Sequence, residues 1–385
     1  MAVTILDVAR LAGTSTATVS QALNSPRRVA AKTRRRVLAA VKKLKYYPNL
    51  HARNLAWRHS RTLGMIVSDI QNPFFPAVIR SFEARARHWG YEVIVSDTNY
   101  KPHLMRRATE RMLEHNMRGV AIMTSEMSPP LLEQILDRKI AATFFDLDLT
   151  AENVSIIKFD YSSGVYQAVE HLYRLGHRRI AFVGGQSFKS IKARQTAYVE
   201  SMRKLGLEPG PIVPGNQTVE GGLAAGLTIA RSWPRPTAVI AMNDLTAFGL
   251  TRAFSRSGLR IPQDVSVVGF DKTYLAEYFT PSLTTVDMHP DQLGRLAVDC
   301  LHELSSAPKP QGKVYLIPLQ LVVGESTGPA PTRPRKASLP VELASPTDRV
   351  QIDAGSSLKI VTAPSHGSPG GAGDSNPLES QARGV

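Results

Sequence analysis

The first 24 residues, MAVTILDVARLAGTSTATVSQALN, spell two short helices joined by a glycine turn, the layout of a helix-turn-helix whose second helix enters a DNA major groove. Thr4 followed by Asp7 is a capping-box signal, Ile5, Val8, Ala9 and Ala12 form one helical stripe, and Gly13 supplies the stop. Ser15 is a natural N-cap for the second helix. Val19, Ala22 and Leu23 fall on its inward side, which leaves Thr16, Ala17 and Gln21 outward at the spacing that reaches base edges. A third amphipathic stretch, residues 31–44, carries Val37, Leu38, Val41 and Leu44 at helical spacing. The pattern predicts a three-helix headpiece.

Charge points the same way. Residues 1–60 hold twelve Lys or Arg and a single acid, Asp7, so +11 of the whole chain's +15 sits in its first sixth. A basic run is usually a solvated face. Interleaved with an apolar stripe and a turn between helices, it is the footprint of a protein that displaces counterions from a phosphate backbone. The length of 385 residues and a hydrophobic content of 43% allow two or three domains with sizeable cores. No run of 18 apolar residues and no basic-then-apolar leader occurs, so a cytoplasmic protein without a membrane span is expected. Cys300 is the one cysteine; between Leu296 and Leu301 at helical spacing it reads as a small buried hydrophobe.

Pro48 ends the third helix, and Asn49 can cap a short new one over 51–56. Two turns are too few to be helical alone, so the hinge at 49–61 is expected to order only against a partner copy or DNA. From Thr62 the pattern changes to buried strands alternating with helices. TLGMIVS, YEVIVSD, RGVAIMT and AATFFD make one series, and RIAFVGG, TAVIAM and VSVVGF a second, so residues 62–328 are expected to form two parallel α/β lobes. Ligands of such sheets sit at the carboxyl ends of the strands. Ser68, Asp69, Asp146, Asn243, Asp244 and Asp271 end strands and would line a cleft there, although Asn243 and Asp244 also stand where a residue caps the next helix. His177 reads as a turn residue, and Arg178 with Arg179 as a solvated pair at a helix end. In residues 329–385, Pro, Gly and Ser make up 22 of 57 positions without apolar periodicity, the composition of a disordered tail.

Enzyme motifs are missing. There is no H-E-x-x-H, no G-x-x-x-x-G-K-[ST], no G-x-G-x-x-G after a first strand and no G-x-S-x-G elbow. Without paired cysteines or clustered histidines, no metal site and no cofactor are expected.

Seven stretches together resemble one family: VTILDVARLAGTSTATVSQALN, YYPNLHARNLA, IQNPFF, HLYRLGHRRIAFVGG, AMNDLTAFG, GLRIPQDVSVVGFD and PSLTTV. Over about residues 3–327 the chain is similar to transcription regulators of the lactose-repressor (LacI/GalR) family. The resemblance implies an α/β chain: a helix-turn-helix headpiece (1–48), a hinge helix (49–61), a two-lobed body like the periplasmic binding proteins (62–328) and a tail (329–385). It implies a homodimer on a near-palindromic operator, controlled by a small effector, a sugar or related polyol, held between the lobes.

Position by position, it places Thr16, Ala17 and Gln21 at bases, Ser15 and Thr18 at phosphate, and Leu55 in the minor groove as a hinge wedge. Thr4, Asn24, Asn49 and Ala52 complete the DNA-facing set. For the effector it points to Ser68, Asp146, Arg194, Gln217, Asn243 and Asp271, with Phe74 or Phe75 able to stack on a sugar ring. Arg194 and Asp271, taken as strand-end groups of one lobe, would offer donors and an acceptor to vicinal hydroxyls. Two positions depart from the family: Gln21 stands where arginine is commonest, and Ala197 where glycine follows the cleft arginine. A plain solute-binding protein fits the body alone but leaves the +11 headpiece without a purpose.

Overall fold

The structure, a computed structural model, describes residues 3–24, 28–46, 60–124, 127–149, 151–185, 188–333, 335 and 337. Three helices make the headpiece: α1 (Ile5–Ala12), α2 (Thr16–Asn24) and α3 (Ala31–Leu44). Thr4 donates to the Asp7 carboxylate from its backbone N–H (3.0 Å) and its hydroxyl (2.7 Å), which fixes the start of α1. Gly13 ends that helix in the left-handed region, φ 59°, where a Cβ is costly. The Ser15 hydroxyl then accepts from Thr18 N (3.2 Å) and opens α2.

Val8, Ala9, Ala12, Val19, Ala22, Val37 and Ala40 close a small core of the headpiece's own. Arg36 fastens α3 to the turn, its guanidinium donating to the carbonyls of Ala12 and Gly13. Leu38, expected inside, is 42% exposed; the buried stripe of α3 runs through Val37 and Ala40 instead, and Leu38 lies one step round the helix.

In the first lobe β1 (Thr62–Val67), β2 (Glu92–Asp97), β3 (Gly119–Met123), β4 (Ala141–Phe145), β5 (Val154–Phe159) and β11 (Val314–Ile317) form a wholly parallel sheet ordered β11-β5-β4-β3-β1-β2. In the second, β6 (Ile180–Gly184), β7 (Ile212–Pro214), β8 (Ala238–Ala241), β9 (Ser266–Asp271), β10 (Thr284–Asp287) and β12 (Gln320–Val322) follow the order β12-β10-β9-β8-β6-β7, with only β12 antiparallel. Continuous apolar runs mark strands covered on both faces, and β3, β4, β6 and β8 are buried throughout.

The first sheet is flanked by α4 (Phe74–His88), α5 (Pro102–Glu114), α6 (Pro129–Asp137) and, from late in the chain, α12 (Pro290–Ser306). The second carries α7 (Tyr161–Arg174), α8 (Lys189–Lys204), α9 (Val219–Arg231), α10 (Asp244–Arg256) and the short α11 (Leu275–Tyr278). The chain passes between lobes three times, at β5–α7, β10–α12 and β11–β12.

Where α12 crosses α4 the backbones touch: a Cβ on Gly294 would lie 2.5 Å from the Val78 carbonyl oxygen, so only glycine fits. Cys300, on the same helix, is buried, and burial pushes its thiol up to about 12.

His177 is not merely a turn residue. It is fully buried, its ring bonded to Thr237 Oγ1 (2.9 Å), Ser266 Oγ (3.1 Å) and the Gly328 carbonyl (3.0 Å), and burial pulls its pKa down. Arg178 and Arg179 are exposed, with the Arg178 guanidinium 4.1 Å above the Tyr173 ring. Contacts with the second lobe continue beyond 328. Ala330 N donates to Leu175 O (2.8 Å), and the buried Arg235 donates to the carbonyl of Arg335 (2.7 Å). By contact the chain divides into Met1–Leu339 and Pro340–Val385, of which only the first contains described residues. Among the described residues no helix is long and apolar enough to cross a membrane.

Candidate functional site

On the headpiece Ser15, Thr16, Ala17 and Gln21 are exposed along one side of α2, while Val19 and Ala22 on the other are buried. Thr18 is half-buried and shares a hydroxyl–hydroxyl bond with Ser15 (2.9 Å), so the pair is held together at the helix start. Thr4 is exposed at the start of α1, and Asn24 is the last residue of α2. Arg10, Lys32, Arg34, Arg35, Lys42 and Lys43 are all exposed around this core. Asn49, Ala52 and Leu55 lie outside the described residues.

A cavity of about 280 Å³ lies at the carboxyl ends of both sheets, and its wall includes eight of the ten body residues expected there: Ser68, Phe74, Phe75, Asp146, Arg194, Gln217, Asn243 and Asp271. The volume suits a small metabolite. Arg194 is its main cation. It sits on α8 rather than at a strand end, donates to the Met242 carbonyl, and reaches Met288 Sδ (3.2 Å) and Asp271 Oδ1 (3.8 Å). Its guanidinium lies 4.0 Å from the Phe270 ring and 5.1 Å from the Tyr161 ring, and its Nε has no hydrogen-bond partner among the described residues.

Burial raises the Asp271 carboxyl, while Arg194 and then Asn72 hold it down. Asp146 is likewise raised by burial, against the Tyr161 hydroxyl it accepts at 2.6 Å. Both are acceptors at strand ends, held where desolvation makes a donor welcome. The backbone there is unusual: Asp146, Gln217 and Asp271 all have positive φ, 53°, 67° and 111°. Non-glycine residues in this region cluster at ligand sites, where neighbours over-determine them.

Asn243 faces the cavity and also caps α10. Its Oδ1 accepts from Thr246 N (2.9 Å) and its Nδ2 donates to the Gln217 carbonyl (2.9 Å). Phe74 and Phe75 meet edge-to-face at 5.4 Å. Two residues expected in the cleft are elsewhere. Asp244 turns into the second lobe, where Thr273 N (2.7 Å), Thr273 Oγ1 (2.9 Å) and Thr285 Oγ1 (2.6 Å) satisfy it; burial and then Asp271 raise its carboxyl. Asp69 instead accepts from Gln71 N (2.8 Å) in a local turn.

The cavity also has residues that sequence reasoning passed over. Asn72 donates from Nδ2 to Asp271 Oδ2 (3.2 Å), a buried bond from one lobe to the other. Tyr100 meets Phe188 in the cavity wall at 5.1 Å between rings. Beside them Asp148 is bound by Lys158 (2.7 Å) from its own lobe and by Lys189 from the other, and the two ammonium groups bring its carboxyl down to about 2. Asn72 was visible only as part of IQNPFF; nothing in the sequence ties it to a residue 199 positions away.

Residues 4–49 match the family model of the bacterial regulatory proteins, lacI family, and residues 169–327 match a periplasmic binding protein-like domain. The HTH-type transcriptional repressor PurR of Photobacterium profundum is 33% identical over 328 residues, covering 84% of this chain and 98% of that one. The chain belongs to the LacI family. Its similarity to other LacI-family members has the same extent: the ribose operon repressor of Escherichia coli K12 is 32% identical over 84% of this chain and 99% of that one. The lac repressor dimer solved with operator and the anti-inducer ONPF superposes with a TM-score of 0.74 at 30% identity, over 85% of this chain and all of that one. This LacI-family protein is accordingly a DNA-binding transcription regulator, a helix-turn-helix headpiece joined to a two-lobed effector domain.

Proposed function

We propose that the protein is a cytoplasmic, non-enzymatic repressor that grips a near-palindromic operator as a two-fold dimer and is controlled by a small hydroxyl-bearing metabolite in the interlobe cavity. The observation that carries this reading is that eight of ten residues expected in a cleft, spread over 204 positions from Ser68 to Asp271, share the wall of one cavity. In this reading Thr16, Ala17 and Gln21 meet bases. Thr4, Ser15, Thr18, Asn24, Asn49 and Ala52 meet backbone or groove, and Leu55 is the minor-groove wedge.

Asp146 and Asp271 accept ligand hydroxyls, Arg194 donates, and Phe74 or Phe75 stacks against the ring. One recognition helix spans few base pairs, so useful specificity needs two copies. The working division is headpiece 1–48, hinge 49–61, body from 62 and a tail whose first residues rest on the second lobe. Structural neighbours support the ligand class: a LacI family transcriptional regulator was solved with bound ribose, and the transcriptional regulator CelR with cellobiose.

The test is thermal-shift screening of the full chain against carbohydrates and nucleosides, followed by anisotropy on a duplex obtained by binding-site selection. A compound that raises the melting temperature and changes duplex affinity is expected. A stabilising compound without effect on the duplex would leave a solute-binding protein.

A further inference from the structure

The strand-end loop between β1 and α4 is a chain of side-chain-to-backbone bonds. Asp69 accepts from Gln71 N (2.8 Å), Asp97 from Ile70 N (3.2 Å), and Asn72 Oδ1 from Phe74 N (3.1 Å) at the start of α4. The Asn72 carboxamide is thereby fixed at one end. Its other end donates across the cleft to Asp271 Oδ2 (3.2 Å), and both residues are buried. An amide bonded this way cannot turn from Asp271 without also leaving the first turn of α4.

The link is selective in what can break it. Asp271 has one oxygen 3.8 Å from Arg194 and the other accepting from Asn72, so a ligand hydroxyl that bonds to Oδ2 does so beside the amide already there. Asn72 and Asp271 both line the cavity. Beyond Asn72, α4 is tied to α12: Ser81 Oγ donates to the Asp291 carbonyl and Arg85 Nε to the Asp299 carboxylate (2.7 Å). A displacement of the start of α4 is therefore shared with the lobe that the chain enters directly after the hinge segment.

We propose that Asn72 is the positioning residue that couples the cavity to the DNA-binding function: its amide holds Asp271 of the second lobe to α4 of the first, and a ligand donor that reaches Asp271 Oδ2 weakens or displaces that bond. The proposal rests on the effector-cavity reading and adds the route by which occupancy leaves the cavity. An interlobe bond of this kind is a two-state element that one ligand can bias.

Two variants separate the link from the helix start. Asn72→Ser keeps an oxygen that caps α4 but is too short to reach Asp271. Asn72→Asp also keeps the cap, and at neutral pH it sets two carboxylates against each other; on acidification such a pair shares one proton and an O–H···O bond restores the link. Asp271 is also faced by Arg194 from α8 and by Asp244 from α10, while Asp146 with Tyr161 lies across the cavity. These groups are common to all three proteins, so each variant is compared with wild type at the same pH.

The measurement is affinity of the full-length proteins for a duplex selected by the wild-type chain, at pH 7.5 and 5.5, without any ligand. At pH 7.5 both variants are expected to differ from wild type by about fivefold or more in the same direction, the size of an ordinary allosteric coupling. At pH 5.5 Asn72→Asp returns toward wild type and Asn72→Ser does not. Wild-type affinity in Asn72→Ser at both pH values overturns the proposal, as does an Asn72→Asp variant that tracks Asn72→Ser throughout. Absence of sequence preference in the wild-type chain removes the regulator reading and the proposal with it.

Discussion

Replacing Arg194 by Met tests the electrostatics of the cavity most directly. The guanidinium neutralises Asp271 at 3.8 Å and donates to the Met242 carbonyl, both in buried surroundings. Cutting one partner from a buried ion pair costs roughly 3–5 kcal/mol, because a desolvated charge is left behind. Part of that is offset here. Among the described residues the Arg194 Nε lacks a hydrogen-bond partner and one Nη donates to sulfur, so the substitution also removes two poorly matched donors. Methionine keeps most of the volume between Phe270 and Tyr161.

A net loss of about 2–3 kcal/mol at pH 7.5 follows, lowering the melting temperature by about 3–5 °C. The loss should shrink on acidification. Asp271 is already raised by burial, and Arg194 is the strongest influence holding it down. Without Arg194 the folded chain binds that proton more tightly than the unfolded chain, so stability rises as pH falls from neutrality toward the ordinary carboxylate range near 4. Urea unfolding of both full-length proteins at pH 7.5 and 5.5 measures the gap. The ligand response should vanish while affinity for the selected duplex stays within a few fold. A gap equal at the two pH values would refute the assignment of Asp271 as the buried charge left without its partner.

Three further perturbations have defined outcomes. Gln21→Arg should move base preference at one pair per half-site from A·T toward G·C by about 1–3 kcal/mol, since paired donors match guanine O6 and N7 whereas an amide matches adenine N6 and N7; unchanged logos in binding-site selection would mean that Gln21 reads no base. Arg36→Met frees the Ala12 and Gly13 carbonyls, so the headpiece should lose about 1 kcal/mol and duplex affinity should fall while the main thermal transition of the body is unmoved by calorimetry. Truncation after Leu339 should leave stability within error, but truncation after Gly328 removes the carbonyl that satisfies the buried Arg235 and should lower the melting temperature by several degrees in the same scan.

What the sequence shows and hides follows from how far apart the interacting groups lie. The headpiece was readable almost to the residue because its signals are local: Thr4 with Asp7, Gly13, and Ser15 with Thr18 are all within three or four positions. Doubly covered strands such as β3 and β4 announce themselves as apolar runs. β10 does not, since its buried Thr284 and Thr285 look polar until Ser326, Thr327 and Asp244 are seen to satisfy them. β7 and β12 have three residues each, too few for any period to show.

The same distance rule governs the cavity. Strand ends and the family resemblance located its wall, but Asp244 and Asn243 are adjacent in sequence and only geometry decides which faces inward. The sequence shows the turn at His177 but not its burial, because its three partners come 60, 89 and 151 residues later.

The three passages between lobes bear on how the molecule is made. The first sheet takes its edge strand from Val314–Ile317 and its cover from Pro290–Ser306, both translated after most of the second lobe. On a ribosome adding about 5–20 residues per second, the first lobe thus waits for the body's closing residues, while the headpiece, with a core of its own, can fold long before. A nascent chain would hold DNA-binding surface for many seconds before it has any cavity to restrain it.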